Sequence, residues 1–149
     1  MKAMRIIIIL MASAVFMYSC TYSNIYINRE TDNNDGKVFL NNFYQEIANK
    51  NFDGIDAVVS DSLKNLAGAN GISKLAAFIN RKVGNYKSYE IADYYIRCVT
   101  GSTNQISYNY KLKVTYEKGI VDEIVGLRKE NGSSIKLNSY HANSDLLIK

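Results

Sequence analysis

Few side chains in this sequence combine the types and spacing that chemistry needs. The most interesting is Asp93, which interrupts the series Tyr89, Ile91, Asp93, Tyr95, Arg97, Val99 on one side of an expected strand. Turned inward, Asp93 beside Tyr95 and Arg97 would hold a polar group of a ligand, or act as a base once burial raised its pKa. Turned outward, it forms a solvated pair with Arg97 and leaves Ala92, Tyr94, Ile96 and Cys98 as core, in keeping with the rarity of buried unpaired charge. The sole histidine, His141, could build a general-base pair only with a residue such as Asp93 or Asp145. The polar Asn143 and Ser144 behind it indicate an exposed strand exit.

Other chemistries lack their parts. One histidine and two cysteines, Cys20 and Cys98, cannot supply a metal cluster at ligand spacing, and no cofactor is expected. The segment Gly68-Ala69-Asn70-Gly71 lacks the Lys-Ser/Thr of a phosphate-cradling loop. Asp53 with Asp56, and Asp122 with Glu123, read as helix-start and turn charges. Cys98, among Tyr94, Tyr95, Ile96 and Val99, reads as a small buried hydrophobe. Tyr108, Tyr110 and Tyr116 either pack as core against helices or line an aromatic binding pocket.

The elements that must position these residues follow from hydrophobic period. Val38, Leu40, Phe43, Tyr44, Ile47 and Ala48 recur at three and four, which predicts a helix capped by Asp35 and ended by Asn49-Lys50-Asn51. A short helix is expected around Ile55–Val59 with Asp53 as its cap, and a third over Ile72–Val83 closed by Gly84. Beyond Tyr86 the period falls to two. Tyr86–Val99 reads as a first strand, and Ile106 to Tyr116 alternates apolar with polar as a half-buried antiparallel strand. Val121, Val125 and Leu127 belong to a third strand, Asn131-Gly132 marks a hairpin, and Ile135-Lys136-Leu137 starts the last, ending near His141. Helices first and a four-stranded meander after them give an α+β domain, with the helices on one face of a curved antiparallel sheet.

Composition sets the outer bounds. The 149 residues are 47% apolar and 21% charged, enough for one domain with a real core. Without Lys2 and Arg5, residues 20–149 keep 16 basic and 14 acidic side chains, dispersed along the chain, so no nucleic-acid partner is called for. Twelve tyrosines with no tryptophan or proline favour strands.

The N-terminus has a charged start (Lys2, Arg5), an apolar run from Ile6 to Met17 and a small Ser19, the anatomy of a secretory signal peptide. The run is shorter than the ~20 residues a spanning helix requires. Met17-Tyr18-Ser19-Cys20 resembles the lipobox of bacterial lipoproteins. That resemblance implies a diacylglyceryl group on the Cys20 thiol, removal of residues 1–19 and acylation of the new amino terminus. A buried methylene contributes about 0.8 kcal/mol, so two or more chains anchor where one would not. The other reading is an ordinary secretory leader before a cysteine. Residues 20–36, rich in Asn, Asp and Thr, are expected to form a lipidated tether, with the domain at 37–149. Thr21-Tyr22-Ser23-Asn24 lacks the acidic cluster of surface-exported lipoproteins. A periplasm-facing site is therefore expected, on the inner leaflet of an outer membrane or the outer leaflet of an inner one.

The element order resembles the cystatin-like and nuclear-transport-factor-2-like superfamily, especially small domains of unknown function in bacterial lipoproteins. The matching residues are Phe43-Tyr44 followed by Asn51-Phe52-Asp53-Gly54, then Gly84-Asn85-Tyr86-Lys87-Ser88, the strand 105–116 and Val121–Arg128. Ser134-Ile135-Lys136 stands where such domains often carry Trp-Lys-Ile. The expected function is a non-enzymatic envelope lipoprotein, a small binding or protein-interaction module on the membrane. Alternatives are a binder of a small apolar or aromatic ligand between sheet and helix, or an isomerase- or lyase-type enzyme using Asp93.

Overall fold

The computed structural model describes residues 23–148, and within them all strands join one antiparallel sheet. The strands are β1 (Asn24–Ile27), β2 (Tyr86–Thr100), β3 (Gln105–Tyr116), β4 (Gly119–Glu130) and β5 (Lys136–Asn143), side by side in that order. Between β1 and β2 lie the helices α1 (Glu30–Ala48), α2 (Phe52–Ala57), α3 (Asp61–Ala67) and α4 (Gly71–Val83), and a last turn, α5 (Asp145–Ile148), follows β5. The architecture is α+β, as expected, with five strands where four were expected. No helix among the described residues is long and apolar enough to cross a membrane.

The core explains the helices. Along α1 the buried positions Asn33, Gly36, Leu40, Phe43, Tyr44 and Ile47 recur at three and four, which lays one stripe on the sheet. Val38, expected on that stripe, is exposed. Helix α1 starts seven residues before Lys37, so Asp35 is not its cap but an interior residue paired with Lys129 at 3.1 Å. Asn51, not Asp53, occupies the position before α2. Helix α4 buries Ile72, Ala76, Ile79 and Val83 and ends at Gly84, whose φ of 87° suits a residue without a Cβ. The Ser73 hydroxyl donates to Asp56 Oδ2 at 2.7 Å and ties α4 to α2.

The residues read as a tether carry structure from Asn24 onward. β1 pairs with the end of β2, Asn24 opposite Thr100 and Ile27 opposite Arg97. At Asn28 (φ 51°) the chain leaves the sheet, and its backbone N–H donates to Ile96 O while its side-chain Oδ1 accepts from Ile96 N. Arg29 then donates to both oxygens of the buried Asp32, at 2.7 and 2.9 Å, reaches Cys98 Sγ at 3.0 Å and covers the Tyr26 ring. One guanidinium thus joins β1, α1 and β2. The signal peptide 1–19 and Cys20 lie outside the described residues.

Strand β2 changes face twice. Against β3 its register slips between Tyr86 and Ser88 and again between Ile91 and Asp93, leaving Lys87 and Ala92 as extra residues. Tyr86 packs on the core, then the odd-numbered Tyr89 and Ile91, then the even-numbered Ile96 and Cys98. β3 keeps its phase throughout, with Tyr108, Tyr110, Leu112, Val114 and Tyr116 all buried.

Candidate functional site

Asp93 falls just after the second bulge of β2, and that single extra residue sends it outward. Its carboxylate accepts from Lys111 Nζ at 2.9 Å on the neighbouring strand, and both side chains are exposed. The Lys111 hydrogen bond, then its charge, holds the Asp93 pKa below the ordinary carboxylate range. Tyr95 and Arg97 share this outer face, and Asp93 pairs with Lys111 rather than with Arg97. His141 also points outward from β5, opposite Ile124, in the same cross-strand row as Asp93 but three strands away, roughly 14 Å at the usual strand spacing. These residues therefore do not converge on an enclosed site.

The space between α1 and the sheet, where a small ligand or a base would sit, is filled. Phe43, Tyr44, Tyr110, Leu112 and Glu123 occupy it, each 2% exposed or less. Glu123 is the residue that the sequence reading placed among turn charges. It lies instead in β4, in phase with the buried Val121, Val125 and Leu127, and faces inward. The signal was present in that alternation. Tyr44 and Tyr140 each donate to Glu123 Oε2 at 2.7 Å, and Tyr116 donates to Oε1 at 2.9 Å.

Burial raises the Glu123 pKa, and the three hydroxyls pull it down without cancelling that rise. The same burial, with the carboxylate beside it, pushes the phenols of Tyr44, Tyr116 and Tyr140 up, so they stay protonated donors. With both oxygens engaged by phenols, the cluster orients rings. The Tyr44 ring stacks on Tyr86 (5.2 Å) and leans on Tyr89 (4.9 Å), and the Tyr89 hydroxyl donates to Asn41 Oδ1 at 2.6 Å. Aromatic pairs of this kind contribute about 0.5–1.5 kcal/mol each.

Tyr86 and Tyr89 also form the wall of a groove. Its volume is about 920 Å³, and it is bordered by Asn28, Lys37 and Asn41 on one side and by the run from Tyr86 to Tyr94 on the other. Consecutive β2 residues from both faces of the strand line it, so the groove follows the strand's edge. That edge is open because β1 covers only residues 97–100 of β2, with Asn28 reaching Ile96. Among the described residues nothing pairs with the outer backbone of 86–95.

No protein-family model matches this sequence, and no curated protein matches it. What the groove can do must therefore be read from its own groups. Lys37 and Lys87 are exposed and form no ion pair among the described residues. The groove thus offers free backbone donors and acceptors, tyrosine faces and two cations. Its lining also holds the Ser88 hydroxyl and the Asp93 carboxylate, the latter paired with Lys111, and no group of three or more metal-binding side chains occurs among the described residues.

Proposed function

We propose that this protein is a lipid-anchored envelope module that captures an extended polypeptide by adding it as a strand to the free edge of β2. One observation carries the reading. Among the described residues the edge of 86–95 is uncovered, and it opens into a groove of about 920 Å³ bordered by Lys37 and Asn41 of α1. Added strands gain affinity from main-chain hydrogen bonds and specificity from alternate side-chain contacts. Lys37 and Lys87 favour acidic side chains in the captured segment. The bulges at Lys87 and Ala92 limit the regular stretch to Ser88–Ile91, so the edge suits a short segment and resists unlimited pairing of copies.

The helices-then-meander order and the single sheet support a cystatin-like or nuclear-transport-factor-2-like arrangement, with β1 as an added edge strand. The anchor is the lipid on Cys20 behind the leader of residues 1–19, on a periplasm-facing leaflet. A role for Asp93 as a base gains nothing from its exposed pairing with Lys111. Nor does an apolar ligand between helix and sheet, where side chains fill the space.

A photo-cross-linking amino acid introduced at Ser88 in cells, with the same probe at His141 as the opposite-edge control, tests strand capture. Adducts to an acidic polypeptide are expected from Ser88 and not from His141. The double charge reversal Lys37→Glu/Lys87→Glu should reduce them by about tenfold or more, since like charges across an interface cost several kcal/mol. Equal adducts from both positions, or adducts indifferent to the reversal, would remove strand capture.

A further inference from the structure

The outer face of β1, opposite the helices, carries an apolar patch that the groove does not use. Ile25 is 53% exposed, Ile27 48% and Tyr95 52%. Register puts them together: Ile25 lies opposite Val99 and Ile27 opposite Arg97, which share the face of Tyr95. Tyr26, opposite the buried Cys98, lies on the helix side under Arg29. Isoleucines at alternate positions of a short strand are ordinarily placed to bury one face. Here that face meets nothing within the described residues.

Chain length says what could cover it. Only residues 21–23 separate Cys20 from Asn24, and four Cα steps span at most about 14 Å. A thiol in the lipid headgroup region therefore holds the start of β1 within about 14 Å of the headgroups, which keeps this end of the domain close to the bilayer surface. Resting on the lipid-anchor reading, we infer that Ile25, Ile27 and Tyr95 form a membrane-contacting face that lies on the bilayer surface. Isoleucine enters the boundary between headgroups and acyl chains, and tyrosine sits there with its ring in the apolar part and its hydroxyl in water. Arg97 is exposed and forms no ion pair among the described residues, so it is placed to meet anionic headgroups. The groove at 86–94 lies toward the other end of β2 from the pairing with β1.

The test uses the full chain purified from membranes in its native form and returned to vesicles of phosphatidylethanolamine and phosphatidylglycerol doped with a photoactivatable phospholipid. Intact mass comes first. Acyl mass on an amino terminus beginning at Cys20 is expected, and its absence would overturn the anchor and this face together. Given that mass, lipid adducts should concentrate on 25–27 and on Tyr95, with little on Ile120 or His141. The variant Ile25→Ser/Ile27→Ser, at exposed positions that leave the core intact, should lower the Tyr95 adduct about fivefold. Lipid adducts confined to residues 20–23 would overturn the membrane face and leave the anchor standing. So would adducts joining β1 of two copies.

Discussion

Glu123 is the residue on which the interior is organised. Tyr44 brings a hydroxyl from α1, Tyr116 from β3 and Tyr140 from β5, so one carboxylate ties a helix to three adjacent strands. Removing one donor, Tyr44→Phe, should cost about 1–3 kcal/mol, the range for a buried polar group that loses its partner. Glu123→Leu should cost more, since three buried hydroxyls then lose their acceptor, and Glu123→Gln should cost least. Chemical denaturation at pH 7 ranks the three. Glu123 has a raised pKa in the folded state, so its stabilising contribution is complete below the ordinary glutamate pKa and is lost as pH rises through the folded value. Thermal midpoints of Glu123→Gln should therefore decline less than wild type as pH rises above the ordinary glutamate pKa, and a parallel decline would contradict a raised pKa. Asp93 and Glu117 act in the opposite sense. Their pKa values are lowered, the first by Lys111 and the second by the Asn85 backbone N–H, so what they contribute is lost as pH falls. Both are exposed, and Asp93→Asn should leave the thermal midpoint at pH 7 unchanged.

At the scale of elements, α1 meets β3 where a glycine faces a tyrosine. A Cβ on Gly36 would overlap the Tyr110 hydroxyl, which reaches Asn33 Oδ1 at 3.2 Å. Alanine in an exposed helix position gains about 1 kcal/mol over glycine. Here overpacking at about 1–3 kcal/mol outweighs that gain, so Gly36→Ala should destabilise. Tyr110→Phe added to it should recover part of the loss, which a double-mutant cycle would measure. The elements also show where the sequence was legible. Helix α4 and strand β3 were readable because each keeps one unbroken period, 3.6 in the first and 2 in the second. The Asn131-Gly132 turn was readable because both residues adopt positive φ, 47° and 74°. β2 was not, since each bulge shifts the phase and period-two reading placed Asp93 beside Tyr89 and Ile91. β1 was missed because its four residues lie in an Asn-rich stretch, and their pairing with 97–100 is a contact some seventy residues away. Glu123 was misread by its charge, although its phase with Val121 and Val125 already placed it inside.

For the whole molecule, these readings give one polarity. The isoleucines of β1 lie at the Thr100 end of the long strand, and the open edge lies toward Tyr86. On the proposed anchor and strand capture, the lipid and the groove would sit at opposite ends of β2. Cys20→Ala should shift the protein from the membrane pellet to the soluble or leader-bearing fraction, as fractionation would show, while circular dichroism of the folded domain stays unchanged. The groove itself should survive that change, because none of its lining residues depends on the anchor. The most direct measurement of strand capture is amide hydrogen exchange on the lipidated protein, first in intact envelopes and then after purification away from partners. Strand addition predicts slower exchange in envelopes confined to residues 86–94, relaxing on purification. Equal exchange of that segment in both states, or protection spread evenly over the sheet, would contradict it.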